Sequence, residues 1–115
     1  MSYMLLIVEP VGQRRERTEA EGHRVYEQML DFADKLKARG VLRASESLGS
    51  GARRLQKRDG RQDIVDGPFA EAKEMVGGFF LLDTASEDEA LAIAAECPAA
   101  EWCCVEVRQL APCYV

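Results

Sequence analysis

The chain contains no run approaching about 18 consecutive apolar residues, the length a membrane-spanning helix requires. Its opening, MSYMLLIVEP, carries a short apolar stretch without a basic leader. A membrane partner is therefore not expected, and a cytoplasmic location is. Positive charge is also in deficit: the formal net charge is −5. Nucleic acid is not an expected partner, because neutralising phosphates needs a clustered positive field. Histidine is represented by His23 alone. There is no Gly-rich phosphate loop, no Ser nucleophile elbow and no His-rich metal motif, which argues against nucleotide-dependent and serine-hydrolase mechanisms. No cofactor or metal is expected. The four cysteines, Cys97, Cys103, Cys104 and Cys113, all lie in the last fifth of the chain, at spacings that match no common zinc pattern. Buried reduced thiols are the expectation, with a metal or redox site as the alternative.

What is present is an ordinary globular composition, 30% charged and 47% hydrophobic over 115 residues. That size predicts one domain over residues 1–115, with one core burying roughly two thirds of the unfolded surface. Tyr3 to Val8 is an unbroken apolar run of strand length, so both of its faces should meet apolar neighbours. After the polar loop EPVGQRRER, Thr18 and Glu21 have capping-box spacing. Val25, Met29, Phe32 and Leu36 then recur on one helical face, and Gly40 closes the helix as a left-handed cap. Val41 to Leu48 reads as a strand. Arg53 to Val65 reads as a hairpin around Asp59-Gly60, with Arg53, Arg54, Lys57, Arg58 and Arg61 making it a solvated edge ribbon or an anion-binding arm.

Next comes DGPFAEAKEMVGGFFLLD, residues 66–83, in which a turn and one helical-looking turn of charged residues lead into a strand at about Gly78 to Leu82. Ser86 and Glu89 give a second capping box. Ala90, Ile93, Ala94 and Cys97 form a narrow stripe of small residues, and Pro98 ends that helix. Trp102 to Arg108 is the last strand, with Trp102, Cys104 and Glu106 on one face and Cys103, Val105 and Val107 on the other. The order strand, helix, strand, hairpin, strand, helix, strand is an α+β, ferredoxin-like split βαβ pattern with an inserted β-hairpin, both helices lying on one face of an antiparallel sheet. The apolar runs at Tyr3 to Val8 and Phe79 to Leu82 predict that the other face is dry, kept so by a homodimer through the sheet face.

The segments YMLLIVE, LKARGVL, DGPFAEAKE followed by GGFFLLD, and VEVRQL together resemble the YCII-related family, in its DGPF-motif branch, over nearly the whole chain. The resemblance implies a dimeric α/β-barrel. In members outside that branch it implies lyase-like or dehalogenating chemistry by a His and Asp pair. Glu9 stands where that Asp would be. The His position falls near Met29, six residues past His23, so the dyad is incomplete. The resemblance also implies, for some DGPF-type proteins, a link to extracytoplasmic-function sigma factors.

Glu9 follows a buried strand and precedes Pro10, at a place where strand ends border clefts; it is the foremost candidate acid or base. His23, with an unperturbed pKa near neutrality, and Asp66, in the turn Asp66-Gly67-Pro68, are lesser catalytic candidates against surface and turn-forming roles. Phe69 would anchor that turn to the core. Glu71 and Lys73 are candidate ligand contacts, and Tyr26 and Arg108 are candidate residues of a pocket rim. Gly77-Gly78 suits a bulge or a close backbone approach to a ligand. The expected function is binding of a small polar or anionic organic ligand, with lyase- or isomerase-like activity. The alternative is a non-catalytic accessory or regulatory protein.

Overall fold

The computed structural model describes residues 2–67 and 69–115. The chain runs β1 (Ser2–Pro10), α1 (Glu19–Ala38), β2 (Leu42–Ser47), β3 (Arg53–Arg58), β4 (Arg61–Asp66), β5 (Glu74–Asp83), α2 (Glu87–Glu96) and β6 (Cys104–Gln109), with single 3-10 turns at Gln13–Glu16 and Pro98–Glu101. Four strands form an antiparallel sheet in the order β2-β5-β1-β6, and β3 and β4 pair separately. This is the ferredoxin-like α+β arrangement expected, with the hairpin inserted between β2 and β5.

Local chemistry sets the element ends. Thr18 Oγ1 accepts from the Glu21 N–H and donates to Glu21 Oε1, each at 3.1 Å. At the far end of α1, Gly40 has φ +74°. Its N–H donates to Lys37 O at 3.0 Å, and the Val41 N–H donates to Leu36 O at 3.2 Å. This double bond pattern is a Schellman cap, which requires a left-handed residue where Gly40 stands. Ser86 Oγ accepts from the Glu89 N–H at 3.2 Å, while Glu89 Oε2 reaches back to the Ala85 N–H at 3.1 Å. In the hairpin, Asp59 (φ 50°) and Gly60 (φ 75°) both take positive φ, the two-residue turn that matches strand twist.

Strand alternation then builds the core. Tyr3, Leu5, Ile7 and Glu9 are buried toward the helices, against Phe32 and Leu36 of α1 and Ala90, Ile93 and Ala94 of α2. The small side chains of α2 let that helix approach the sheet closely. Phe32 and Phe80 pack edge to face at 5.1 Å, a favoured aromatic geometry. Met4, Leu6 and Val8 point the other way and are half-buried, as are Phe79 and Leu81 beside them. That second face therefore carries an apolar strip with no helix over it.

Four local expectations are corrected. β5 begins at Glu74 rather than Gly78, because the register shifts between Ile7 and Val8 and pairing resumes with Val8↔Val76. The charged segment before it is a tight turn, closed by the Ala72 N–H on Phe69 O at 3.0 Å, rather than a helical turn. β6 starts at Cys104, since the Trp102 and Cys103 N–H groups are both taken by Ala99 O in the preceding turn. The thiols are not uniformly buried: Cys97 is buried and Cys103 half-buried, whereas Cys104 falls on the open face of β6 and Cys113 in the exposed tail; all four are free. The role expected of Pro68 lies outside the described residues.

Candidate functional site

Glu9 is the last member of the core-facing series on β1, and it is 5% exposed. A carboxylate at that depth needs a charged partner and filled hydrogen bonds. Arg14 supplies both from the 3-10 turn that follows. Its Nε donates to Glu9 Oε1 at 3.1 Å and Oε2 at 3.2 Å, and its Nη2 donates to Oε1 at 2.6 Å. The same guanidinium donates from Nη1 to Leu48 O at 2.8 Å and from Nη2 to Gly77 O at 3.2 Å. One side chain thus ties together β1, the end of β2 and the bulge of β5. Gly77 makes this possible, because a Cβ there would overlap Glu9 Oε1. Gly78 has its own reason: a Cβ would lie 3.0 Å from Glu46 O on the neighbouring strand.

Above this pair opens a cleft of about 340 Å³ between α1 and the sheet, within the range of small-molecule sites. Val25, Tyr26, Met29 and Ala33 form the helix wall, while Ile7 and Phe80 rise from the sheet. Trp102 and Cys103 form the wall near the start of β6, and Arg17 stands beside them. The cleft is therefore apolar along its sides and polar at its floor. Cys103 is pushed up to about 11, first by loss of solvation and then by the Glu9 charge, with Cys97 and Cys104 adding and Arg17 opposing. At neutral pH it is a protonated thiol, a weak donor rather than a nucleophile.

Of the residues singled out from sequence, Glu9 and Tyr26 meet in this cleft. His23 lies on the exposed side of α1, with Nε2 3.9 Å from Glu19 Oε1. Asp66 accepts from Arg53 Nε at 2.8 Å at the base of the hairpin. Glu71 accepts from Arg54 Nη1 at 2.9 Å; its own backbone hydrogen bond and then Arg54 hold it below the ordinary carboxylate range. Lys73 is exposed, and its carbonyl accepts from the Val11 N–H at 2.9 Å. Arg108 pairs in register with Met4 and so sits on the open face of the sheet. Phe69 does not join the core: it is half-buried, with the Arg54 guanidinium 3.8 Å from its ring centroid. Gly67 serves close approach, donating to Ala52 O at 2.6 Å, without a positive φ.

Sequence reasoning missed Arg14, Arg17, Trp102 and Cys103 as cleft residues. For Arg14 a signal existed. The period of two that buries Tyr3, Leu5 and Ile7 also buries Glu9, and a buried carboxylate demands a nearby cation, which the following QRRER segment offers. For Cys103 the signal was the alternation that groups it with Val105 and Val107 on the core side; Trp102 had none, since a 3-10 turn and not a strand sets its direction. Among the described residues, no group of three or more His, Cys, Asp or Glu side chains is placed to hold a metal ion. No helix among them is long and apolar enough to cross a membrane.

The YCII-related domain matches residues 1–113. The chain belongs to the YCII-related family. An uncharacterised protein of Rhizobium meliloti (strain 1021) is 54% identical over 37 residues, a match spanning 32% of this chain and 30% of that relative. In this YCII-related chain Met29 lines the cleft, whereas His23 does not.

Proposed function

We propose that the cleft beneath α1 binds a small polar or anionic organic molecule, and that Glu9 is the proton-transferring group of a lyase- or isomerase-type reaction. The observation that carries this reading is the placement of a nearly buried carboxylate at the floor of an apolar cleft. Oε1 of Glu9 accepts two of the Arg14 bonds, whereas Oε2 accepts a single longer one. Oε2 therefore keeps acceptor capacity for a substrate proton, and Arg14 holds it in place. A thermal-shift screen of small organic acids and phenols tests binding, because a ligand that prefers the native state raises its melting temperature. Glu9→Gln would abolish turnover of any compound that binds and reacts; retained turnover would rule out the role given to Glu9.

A second reading is favoured by one observation. Met29 stands in the cleft wall and has no proton to exchange, while His23 is outside the cleft. A non-catalytic accessory or regulatory protein, linked to an extracytoplasmic-function sigma factor, would need only the binding cleft. Co-purification of a sigma factor with the tagged chain would support it, and its absence under the same conditions would count against it.

The apolar strip of Met4, Leu6, Val8, Phe79 and Leu81 supports a homodimer through the open sheet face. The same surface would otherwise present contiguous apolar side chains to water.

A further inference from the structure

Arg14 is fully engaged by Glu9 and two carbonyls, but Arg17, three residues on and lining the same cleft, is not. Its guanidinium carbon lies 5.9 Å from the centroid of the Trp102 ring, and its Nη2 donates a long bond of 3.4 Å to Gln13 Oε1. Gln13 is in turn held by Trp102, its Nε2 donating to Trp102 O at 2.6 Å. Among the described residues Arg17 forms no ion pair. It is half-buried, which separates it from the exposed arginines of the hairpin.

The charges around the cleft leave this cation uncompensated. Glu9 and Arg14 neutralise one another at the floor. Glu46 also borders the cleft, but its register partner is Phe79, on the open face, whereas its neighbour Ser45 pairs with Phe80 on the helix side. Strand alternation therefore directs the Glu46 side chain away from the cleft and leaves Ser45 and the backbone on its wall. What remains is one guanidinium steadied by an indole at one end, apolar walls of Val25, Met29 and Phe80, and a carboxylate floor. A guanidinium offers a planar fork of donors that suits a carboxylate better than a lone point acceptor.

We propose that Arg17 is the anion-recognising residue of the cleft, and that the ligand class is a monocarboxylate with a compact apolar body. This rests on the reading of the cleft as a small-molecule site. The carboxylate pairs with Arg17 beside Trp102, and the apolar body lies along Val25 and Met29 toward Glu9. A dianion is disfavoured, because a second negative group would meet Glu9 with Arg14 already committed.

Trp102 is the chain's one tryptophan, so its fluorescence reports binding beside Arg17. The full chain is titrated with cyclohexanecarboxylate and with cyclohexanecarboxamide, a neutral counterpart of similar shape; neither absorbs where tryptophan does. The expected result is saturable change in Trp102 emission with the acid, and an affinity for the amide about tenfold or more weaker. Arg17→Gln should lower affinity for the acid by about ten- to hundredfold, the range for a lost hydrogen bond to a charged group, and leave the amide unchanged. Arg17→Lys should recover part of the loss. Equal binding of acid and amide, with Arg17→Gln indifferent, overturns the role of Arg17 while preserving a small-molecule cleft. Failure of both probes to bind overturns the ligand class, and a silent thermal-shift screen beside it overturns the reading beneath it as well.

Discussion

A Cβ on Gly77 would occupy the place taken by Glu9 Oε1, and would lie 2.8 Å from Arg14 Nη2. The glycine at the residue left over by the bulge is thus explained by an ion pair that approaches the backbone from the neighbouring strand. Gly77→Ala should eject Glu9 from its seat and destabilise the fold by ~3–5 kcal/mol, the range for breaking a buried charged pair. Urea unfolding measures it; a loss below about 0.5 kcal/mol would mean that the bulge relaxes freely around the added methyl.

Glu9 and Arg14 should behave as one unit. Arg14→Met leaves a buried carboxylate without its charged partner and should cost ~3–5 kcal/mol, whereas Glu9→Gln leaves a half-buried guanidinium that water still reaches and should cost less, ~1–3 kcal/mol. The double variant should cost less than the sum of the two, since both charges are then gone. Additive losses in a double-mutant cycle would contradict the coupling that three hydrogen bonds imply.

The raised pKa of Cys103 sets an alkaline limit. The folded state keeps the proton up to about 11, whereas an unfolded thiol releases it near 8.5. Below about 8.5 both states hold the proton and the stabilisation from this site is complete. It is lost as pH rises from there through about 11, and amounts to ~1–3 kcal/mol. Cys103→Ser should flatten the fall in unfolding free energy over that window. Alkylation followed by mass spectrometry should label Cys104 and Cys113 near pH 8 while Cys103 stays protected; rapid labelling of Cys103 there would refute the burial argument.

For the proposed dimer, light scattering should give a mass twice the 12.8 kDa of the chain. Leu6 sits on the open face between Phe79 and Glu106 in register. Leu6→Lys should return the mass to that of a monomer without harming the core, because Leu6 does not belong to the buried cluster. A wild-type monomer at micromolar concentration would remove the proposal.

Most of the fold was legible because it depends on local rules that one sequence displays. Thr18, Ser86, Gly40 and the Asp59-Gly60 turn each impose an element boundary through their own chemistry, and the structure follows them. The candidate site was only partly legible. Glu9 could be found from strand position, but the charged turn at Glu71 and Lys73 looked as good from composition alone. What separates them is burial and partnering. Glu71 spends its charge on an exposed pair with Arg54, while Glu9 lies where solvent cannot screen it. The bulge at Gly77 was legible from the Gly77-Gly78 pair, but the seating of Glu9 and Arg14 against it depends on contacts between distant strands.

The hairpin has every residue of both its strands exposed, and its two ends are brought together by the Gly67 N–H on Ala52 O at 2.6 Å. It is closed upon itself before the sheet resumes, like a handle fixed at one point. A reporter peptide spliced between Asp59 and Gly60, at the far tip, would travel with the molecule without entering the cleft. The four-stranded sheet would close behind it unchanged.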